Sequence, residues 1–270
     1  MFKSTVTVMI PLLFAAAGGL FPALAGTLNI ALEGLLLAGA FSSLAVYHIT
    51  GSIAAAITSA VITSIALSAL HAFAVFKLRA NLFISALAVN LLSSGLCVVV
   101  SDKLFHTRGV IVSENATGLQ NLYIIAGIIM LAVVWIAIYK TPFGYRLRAC
   151  EKESEALISL GVRPQAYQTA GLLISGLFCG IGGSFLSLNL GAYVPGMSAG
   201  KGWIALAVIF LGGRNPLGVL AAALLFSIAE VFSNYAQGIM SIPADFLLAF
   251  PYIAALTAMI VISIFPRRDT

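Results

Sequence analysis

A few residues in this sequence could do chemistry where they stand. Glu33 is a carboxylate inside a stretch, residues 4–76, that is otherwise free of formal charge. In hydrocarbon such a group costs roughly 3 kcal/mol unless it faces water, a partner or the interior of a helix bundle. Asn29 lies four residues earlier, so on one helix the two would share a face and could wall a polar path. The alternative is that Glu33 bonds the end of a broken helix and touches no solute. Asn90 and Asn189 are further amides in apolar surroundings, able to donate and accept towards a base or a sugar, or equally between helices. Trp203 offers a ring that could stack on a base or anchor at a membrane interface. Glu230, near the end of an apolar run, reads as an interfacial charge or as a proton carrier.

Other candidates fail on spacing. His48 and His71 stand without ligand neighbours, and Cys97, Cys150 and Cys179 have neither metal nor disulfide spacing. The stretch from Gly196 to Gly202 imitates a phosphate loop, but it has three residues rather than four between its first glycines, and glycine instead of Ser or Thr after Lys201. No Ser/His, metal or paired-acid constellation points to an enzyme. No cofactor site is expected in this chain.

The surroundings of these residues decide the fold class. Of 270 residues 61% are hydrophobic and 9% charged, against about 25% charged in an average soluble domain. So few charges cannot cover a water-soluble surface, and the formal charge of +5 sits mainly in short segments between apolar runs. At about 20 residues per crossing, the chain holds one all-α transmembrane domain over residues 1–270, a polytopic helical bundle with no separate soluble domain.

Charge-free runs at 4–32, 34–76, 81–101, 115–139, 164–200, 202–213, 215–229 and 246–266 mark the spans. The second is too long for one helix and should break near Thr50-Gly51-Ser52. The run 202–213 is too short to cross and meets Gly212-Gly213-Arg214-Asn215-Pro216, so it reads as a half-helix or re-entrant piece. An Ile-Ala-Leu core recurs at residues 30–32 and 204–206, each beside a glycine break, which hints at two halves with discontinuous helices and a solute site near the midplane. Lys3, the apolar run after it and Ala23-Leu24-Ala25 imitate a cleaved leader, but continuation into residues 29–47 favours a membrane span.

Segment 140–168 carries Lys140, Arg146, Arg148, Lys152 and Arg163, whereas 102–120 carries Lys103 and Arg108, so the first is expected inside and the second outside. Lys77, Arg79, Arg267 and Arg268 then fall inside by counting. The number of crossings between Lys3 and Lys77 stays open. Within the inner segment, Glu151, Glu153 and Glu155 crowd the start of a short helix, where negative charge suits the helix dipole. Gly161 can end that helix, and Pro164 stops its continuation. Ala156, Leu157 and Leu160 form a small apolar face at helical spacing, to be covered by a partner or by the chain's own span ends.

Glu155-Ala156-Leu157, three residues, then Gly161 resembles the Glu-Ala-Ala…Gly motif by which permeases of ATP-binding-cassette (ABC) importers dock a coupling helix on their ATPase. The blocks Pro11 to Phe21, Asn29-Ile30 with Leu32-Glu33-Gly34, Pro195-Gly196-Met197-Ser198, Gly202 to Leu206, and Gly212-Gly213 with Asn215-Pro216-Leu217-Gly218 are similar in order to the nucleoside and simple-sugar branch of these permeases. That superfamily includes ribose and branched-chain amino acid permeases. Leu157 and the Cys150-Glu151-Lys152-Glu153-Ser154 stretch depart from its pattern.

The resemblance implies a permease subunit in the bacterial inner membrane that makes and breaks no bonds. ATP and Mg²⁺ belong to a cytoplasmic ATPase, gripping residues 140–168 through Arg146, Arg148, Glu155, Ala156, Leu157, Leu160, Gly161 and Arg163. A second, related but non-identical permease and an external solute-binding lipoprotein complete the assembly. A purine nucleoside is the favoured solute, then a simple sugar, then a branched-chain amino acid. A proton-coupled secondary carrier is the competing class.

Overall fold

The computed structural model describes residues 2–113, 120–239 and 257. Ten helices appear among them: α1 (Phe2–Leu24), α2 (Leu32–Thr50), α3 (Ile53–Phe76), α4 (Leu82–Phe105), α5 (Gln120–Lys140), α6 (Pro142–Lys152), α7 (Ser154–Ser159), α8 (Pro164–Leu190), α9 (Lys201–Leu211) and α10 (Pro216–Ile239). Seven are long and apolar enough to cross a membrane; α9 is not. The chain is the all-α polytopic bundle its composition implied. The break expected near Thr50-Gly51-Ser52 is there, with Gly51 left-handed at φ 66° after α2 and the Ser52 side chain capping α3. Of the apolar run 246–266 only residue 257 is described, and the basic pair Arg267-Arg268 lies outside the described residues.

Helices α1, α2 and α8 form the inner layer. About 78%, 72% and 67% of their spanning windows are buried, against 28% for α3, α4 and α5, whose outer faces carry Ile62, Leu91, Ile128 and Ile129. Such apolar outer faces suit lipid contact. Small residues set the inner spacing. The stripe Gly176, Gly180, Gly183 and Ser184 on α8 permits close approach to two neighbours. A side chain at Gly180 would meet the Ala60 carbonyl at 2.7 Å on α3, and one at Gly183 would strike the Leu36 carbonyl on α2. Hydroxyl bonds cross the same seams: Ser64 donates to Leu35 O, Ser68 to Leu172 O, and Ser43 pairs with Ser187.

The order of these contacts fixes directions. Along α1, Pro22, Gly18 and Phe14 meet Gly171, Phe178 and Gly182 of α8, so the two run antiparallel. Along α2, Gly39 meets Gly180 and Ser43 meets Ser187, so α2 runs parallel to α8. Gln120 at the start of α5 donates to Lys3 O and Thr7 at the start of α1, while Gln168 at the start of α8 donates to Ala25 O just past the end of α1. Three crossings, α1, α2 and α3, therefore separate Lys3 from Lys77, and the question left open by counting is answered: the N-terminal end lies opposite Lys77 and the 140–163 loop. With positive charge inside, Lys3 is external. At that outer end a two-residue ribbon, Ile111–Val112 against Ala192–Tyr193, packs Tyr193 on Phe41 of α2.

The three cysteines are free and buried. Burial pushes the Cys150 thiol above its ordinary value, leaving little reactive thiolate. Cysteines placed at exposed Ser4 and Ile158 should therefore report topology against a silent background. Ser4→Cys is expected to react with a membrane-impermeant maleimide on intact cells, and Ile158→Cys only in inverted vesicles. Labelling of both from the same side would break the orientation.

Candidate functional site

Two regions bring the sequence-marked residues together, one at mid-depth and one at the inner end. At mid-depth two helices begin: α2, after the chain has climbed through residues 25–31 from the inner end, and α9, after a loop, residues 191–200, has returned into the bundle from the outer end. Each break frees backbone donors and acceptors that hydrocarbon cannot satisfy.

Side chains take over those bonds. Asn29 does not share a helical face with Glu33, because it lies in the break before α2. Its Oδ1 accepts from Ala31 N at 3.0 Å and its Nδ2 donates to Ser175 Oγ of α8 at 2.5 Å. Asn90 reaches from α4: its Oδ1 accepts from Gly34 N at 2.8 Å, and its Nδ2 donates to Ile30 O at 3.0 Å. Glu33 accepts from Gly200 N at 2.9 Å and from Gly202 N at 2.7 Å, one bond to each carboxylate oxygen. It caps the positive end of α9 from another helix. The two segments touch so closely that a side chain at Gly202 would strike the Glu33 backbone. In this structure the side chains of all three are internal clips that bond the broken backbone and its neighbours, the alternative weighed for Glu33.

Trp203 and Asn189 stand apart from the clips. Trp203 follows Gly202 on α9, at the depth of Glu33 and away from a helix-end interface, yet it is 43% exposed. Asn189 is half-buried in the last turn of α8. Glu230 is not an interfacial charge: its Oε1 accepts from Lys201 Nζ at 2.6 Å, with side-chain exposures of 24% and 11%. In the sequence Lys201 is marked only as a lysine directly after Gly200 in an otherwise neutral stretch, with nothing to link it to Glu230. At the first position of α9 a lysine opposes the helix dipole, and the ion pair with α10 offsets this.

At the inner end the single short helix expected from the three glutamates is two. Thr141 caps α6, whose Leu147 and Cys150 are buried; Glu153 forms the junction; and α7 ends at Ser159, followed after Leu160 by left-handed Gly161 at φ 76°. Glu151 belongs to the last turn of α6, and only Glu155 sits in the first turn of α7. The expected apolar face is split as well. Leu157 turns inward at 6% exposure, whereas Leu160 at 77% and Ile158 at 62% face out, with Ala156 exposed beside them. Two turns of helix cannot hide both sides of so small a segment, so one leucine anchors it and the other is left uncovered. Arg146 donates to Tyr167 Oη at 2.9 Å, Arg148 lies over the Tyr139 and Tyr145 rings, and Arg163 is exposed at the start of α8. Arg163, Gly161 and Ile158 line a groove with Phe73, Phe76 and Lys77 from the end of α3.

A family model described as the branched-chain amino acid transport system / permease component matches residues 1–264. The nucleoside ABC transporter permease protein NupC of Lactococcus lactis subsp. cremoris is 30% identical over 291 aligned positions, covering 96% of this chain and 92% of its own. The guanosine ABC transporter permease protein NupQ of Bacillus subtilis is 28% identical, covering 95% and 89%. Among solved structures, a chain of PsaBC from Streptococcus pneumoniae in complex with Fab matches with a TM-score of 0.59 at 12% identity, over 96% of this chain and 90% of that one. That likeness concerns the fold alone.

The Lys201–Glu230 pair yields a stability test. Glu230→Ala leaves a buried lysine uncompensated and should destabilise the protein by on the order of 3 kcal/mol, read as a lowered midpoint in detergent melting. Replacing both residues, Lys201→Met with Glu230→Leu, should recover most of that loss. Equal losses in the single and double variants would mean that the pair is not buried as described.

Proposed function

The chain belongs to the family of the branched-chain amino acid transport system permease component, and on that premise we propose that it forms part of the membrane path of an ATP-driven importer for nucleosides. It is a multi-pass permease of the ABC class, in the cell membrane, the inner one where a bacterium has two. Such permeases work with an ATPase and a solute-binding protein. The finer reading concerns solute, contacts and stoichiometry.

The observation that carries it is the half-helix α9, started at mid-depth by Glu33 and ending at the inner surface beside the α6–α7 loop. A helix that stops at the midplane serves no spanning purpose, and transporters use such ends to meet solute. Asn29, Glu33 and Asn90 have their polar atoms committed to backbone or hydroxyl partners, so they hold the frame. Trp203, exposed at the same depth, is the residue we assign to the solute, its ring stacking on a base. The names of NupC and NupQ, which refer to nucleosides and guanosine, support a purine nucleoside over a sugar or a branched-chain amino acid.

We assign the path to the boundary between this chain and a second permease, related but not identical; among the described residues α1, α2 and α8 meet at near backbone contact through Gly18, Gly171 and Gly183, which leaves the outside of this inner layer for the path. The exposed Leu160, Ile158 and Ala156 beside Glu155 and Gly161 form the foot that a cytoplasmic ATPase covers. Leu157 holds the foot to the bundle, and Arg163 borders the adjoining groove. ATP and Mg²⁺ stay on that ATPase. Nucleotide binding favours one arrangement of the ATPase pair and so shifts the permeases between outward- and inward-open states. A proton-coupled carrier fits less well, since Glu33 accepts two backbone N–H bonds and Glu230 is paired with Lys201.

Labelled guanosine should enter proteoliposomes of the intact complex only with ATP. Uptake that survives inactivation of the ATPase but fails on collapse of a proton gradient would favour the carrier. Leu160→Asp is expected to lose ATPase co-purification while the permease still inserts. Gly161→Val meets no atoms within 4 Å, but its left-handed φ costs roughly 1–2 kcal/mol in a β-branched residue, and uptake should fall sharply. Trp203→Ala should raise the guanosine KM by about tenfold, the equivalent of about 1.4 kcal/mol of stacking.

A further inference from the structure

The α9 half-helix is fastened at both ends. Its N-terminus is held by Glu33, as described. Its C-terminus closes in a tight turn, Gly212-Gly213-Arg214-Asn215, in which Gly213 and Arg214 are both left-handed, at φ 62° and 53°, and Arg214 N donates to Ile209 O at 3.0 Å. A left-handed arginine is uncommon. Its side chain leaves the turn over the Phe210 ring, 5.6 Å from the guanidinium, and its Nη1 donates to both oxygens of Glu151 at 2.6 and 2.7 Å. Backbone and ring together aim the guanidinium at one carboxylate.

Glu151 stands in the last turn of α6, one residue past buried Cys150 and three before Ser154 opens α7. It is also pressed against the α1–α2 break: a side chain at Gly26, which is itself left-handed at φ 75°, would meet the Glu151 Cα at 3.3 Å. One residue thus touches the foot, the first helix break and the end of the half-helix. From Leu211, just before the turn, back to Lys201, α9 is a rod of roughly 16 Å, joining the turn to the Glu33 clip at mid-depth.

We propose that Glu151 and Arg214 are positioning residues that latch the cytoplasmic foot to α9, so that movement imposed on the foot reaches the midplane through this ion pair. The inference rests on the ABC-permease reading but assigns a route through the chain that the family match does not contain. An exposed pair of this kind contributes little to stability; the side chains are 37% and 32% exposed. Its role is then to couple movement, with the fold retained when it is cut.

The test uses the intact complex in proteoliposomes with three variants. Arg214→Asn keeps a residue type tolerant of the left-handed backbone and removes the charge; Glu151→Gln removes the other charge; Glu151→Arg with Arg214→Glu swaps them. Each single variant should retain ATPase co-purification and basal ATP hydrolysis, yet import at least about fivefold less labelled guanosine per ATP hydrolysed, the lower range of a coupling effect. The swap should restore most of the coupling.

A second readout needs no solute: spin labels on exposed Leu217→Cys, just past the turn at Arg214, and Ile62→Cys in α3 should change separation on ATP binding, and Arg214→Asn should suppress that change. Single variants that couple like wild type, lose the ATPase, or gain nothing from the swap overturn the latch, as does an unchanged label distance in the otherwise wild-type protein. A distance change in the labelled protein together with wild-type vesicles that import no guanosine would refute the nucleoside assignment and leave the latch supported.

Discussion

Hydrocarbon offers no hydrogen bonds, so a chain that stops being helical inside it must supply partners for every freed backbone group. The mid-depth architecture follows from that requirement. Asn29, Glu33 and Asn90, from the break itself and from α2 and α4, complete the ends of α2 and α9. A carboxylate serves better than an amide at the start of α9, because it accepts two N–H bonds and carries a charge opposite to the helix end. Lys201 and Glu230 then balance the charge locally. Breaks held in this way can be kept without unfolding the surrounding bundle, and a broken helix gives a transporter a helix end near the middle of the bilayer about which the rest of the helix can pivot.

Around that centre the bundle is divided by packing. Glycine and serine on α8 bring α2 and α3 to near backbone contact, which makes α1, α2, α3 and α8 one stiff body. The α9–α10 turn is held differently, by a left-handed arginine, its ring partner and one ion pair to the foot. Contacts of this second kind rearrange at low cost, whereas interdigitated cores resist deformation. The difference assigns the rigid and the moving parts: a fixed wall, and a half-helix whose inner end follows the cytoplasmic loop.

Much of this was legible in the residues. Charge scarcity announced the membrane, the Thr50-Gly51-Ser52 signal divided α2 from α3, and the short run ending at Gly212-Gly213 announced the half-helix. The Gly176, Gly180 and Gly183 spacing announced close packing. What stayed hidden depended on contacts between distant segments. Asn29 was placed on a shared face with Glu33 because four residues make one turn, but the helix starts only at Leu32 and the rule does not reach back through a break. Glu230 was read by its position near a span end, and only the fold shows Lys201 across from it. The three glutamates of the inner loop looked like one helix start until Glu153 proved to be a junction, giving Glu151 to Arg214 and Glu155 to the foot. Amphipathic spacing grouped Leu157 with Leu160, although a two-turn helix pinned to a bundle must turn one of them inward.

The account stands on Glu33 being a permanent clip for α9, not a ligand or a proton relay. The most direct measurement is a pair of high-resolution structures of the assembled transporter, with and without trapped nucleotide, comparing Glu33 and α9 in each. The expected result is that the Glu33 carboxylate keeps the Gly200 and Gly202 N–H groups in both states while the turn at Arg214 shifts with Glu151. A structure in which Glu33 lets go of α9 and faces the solute path would contradict it.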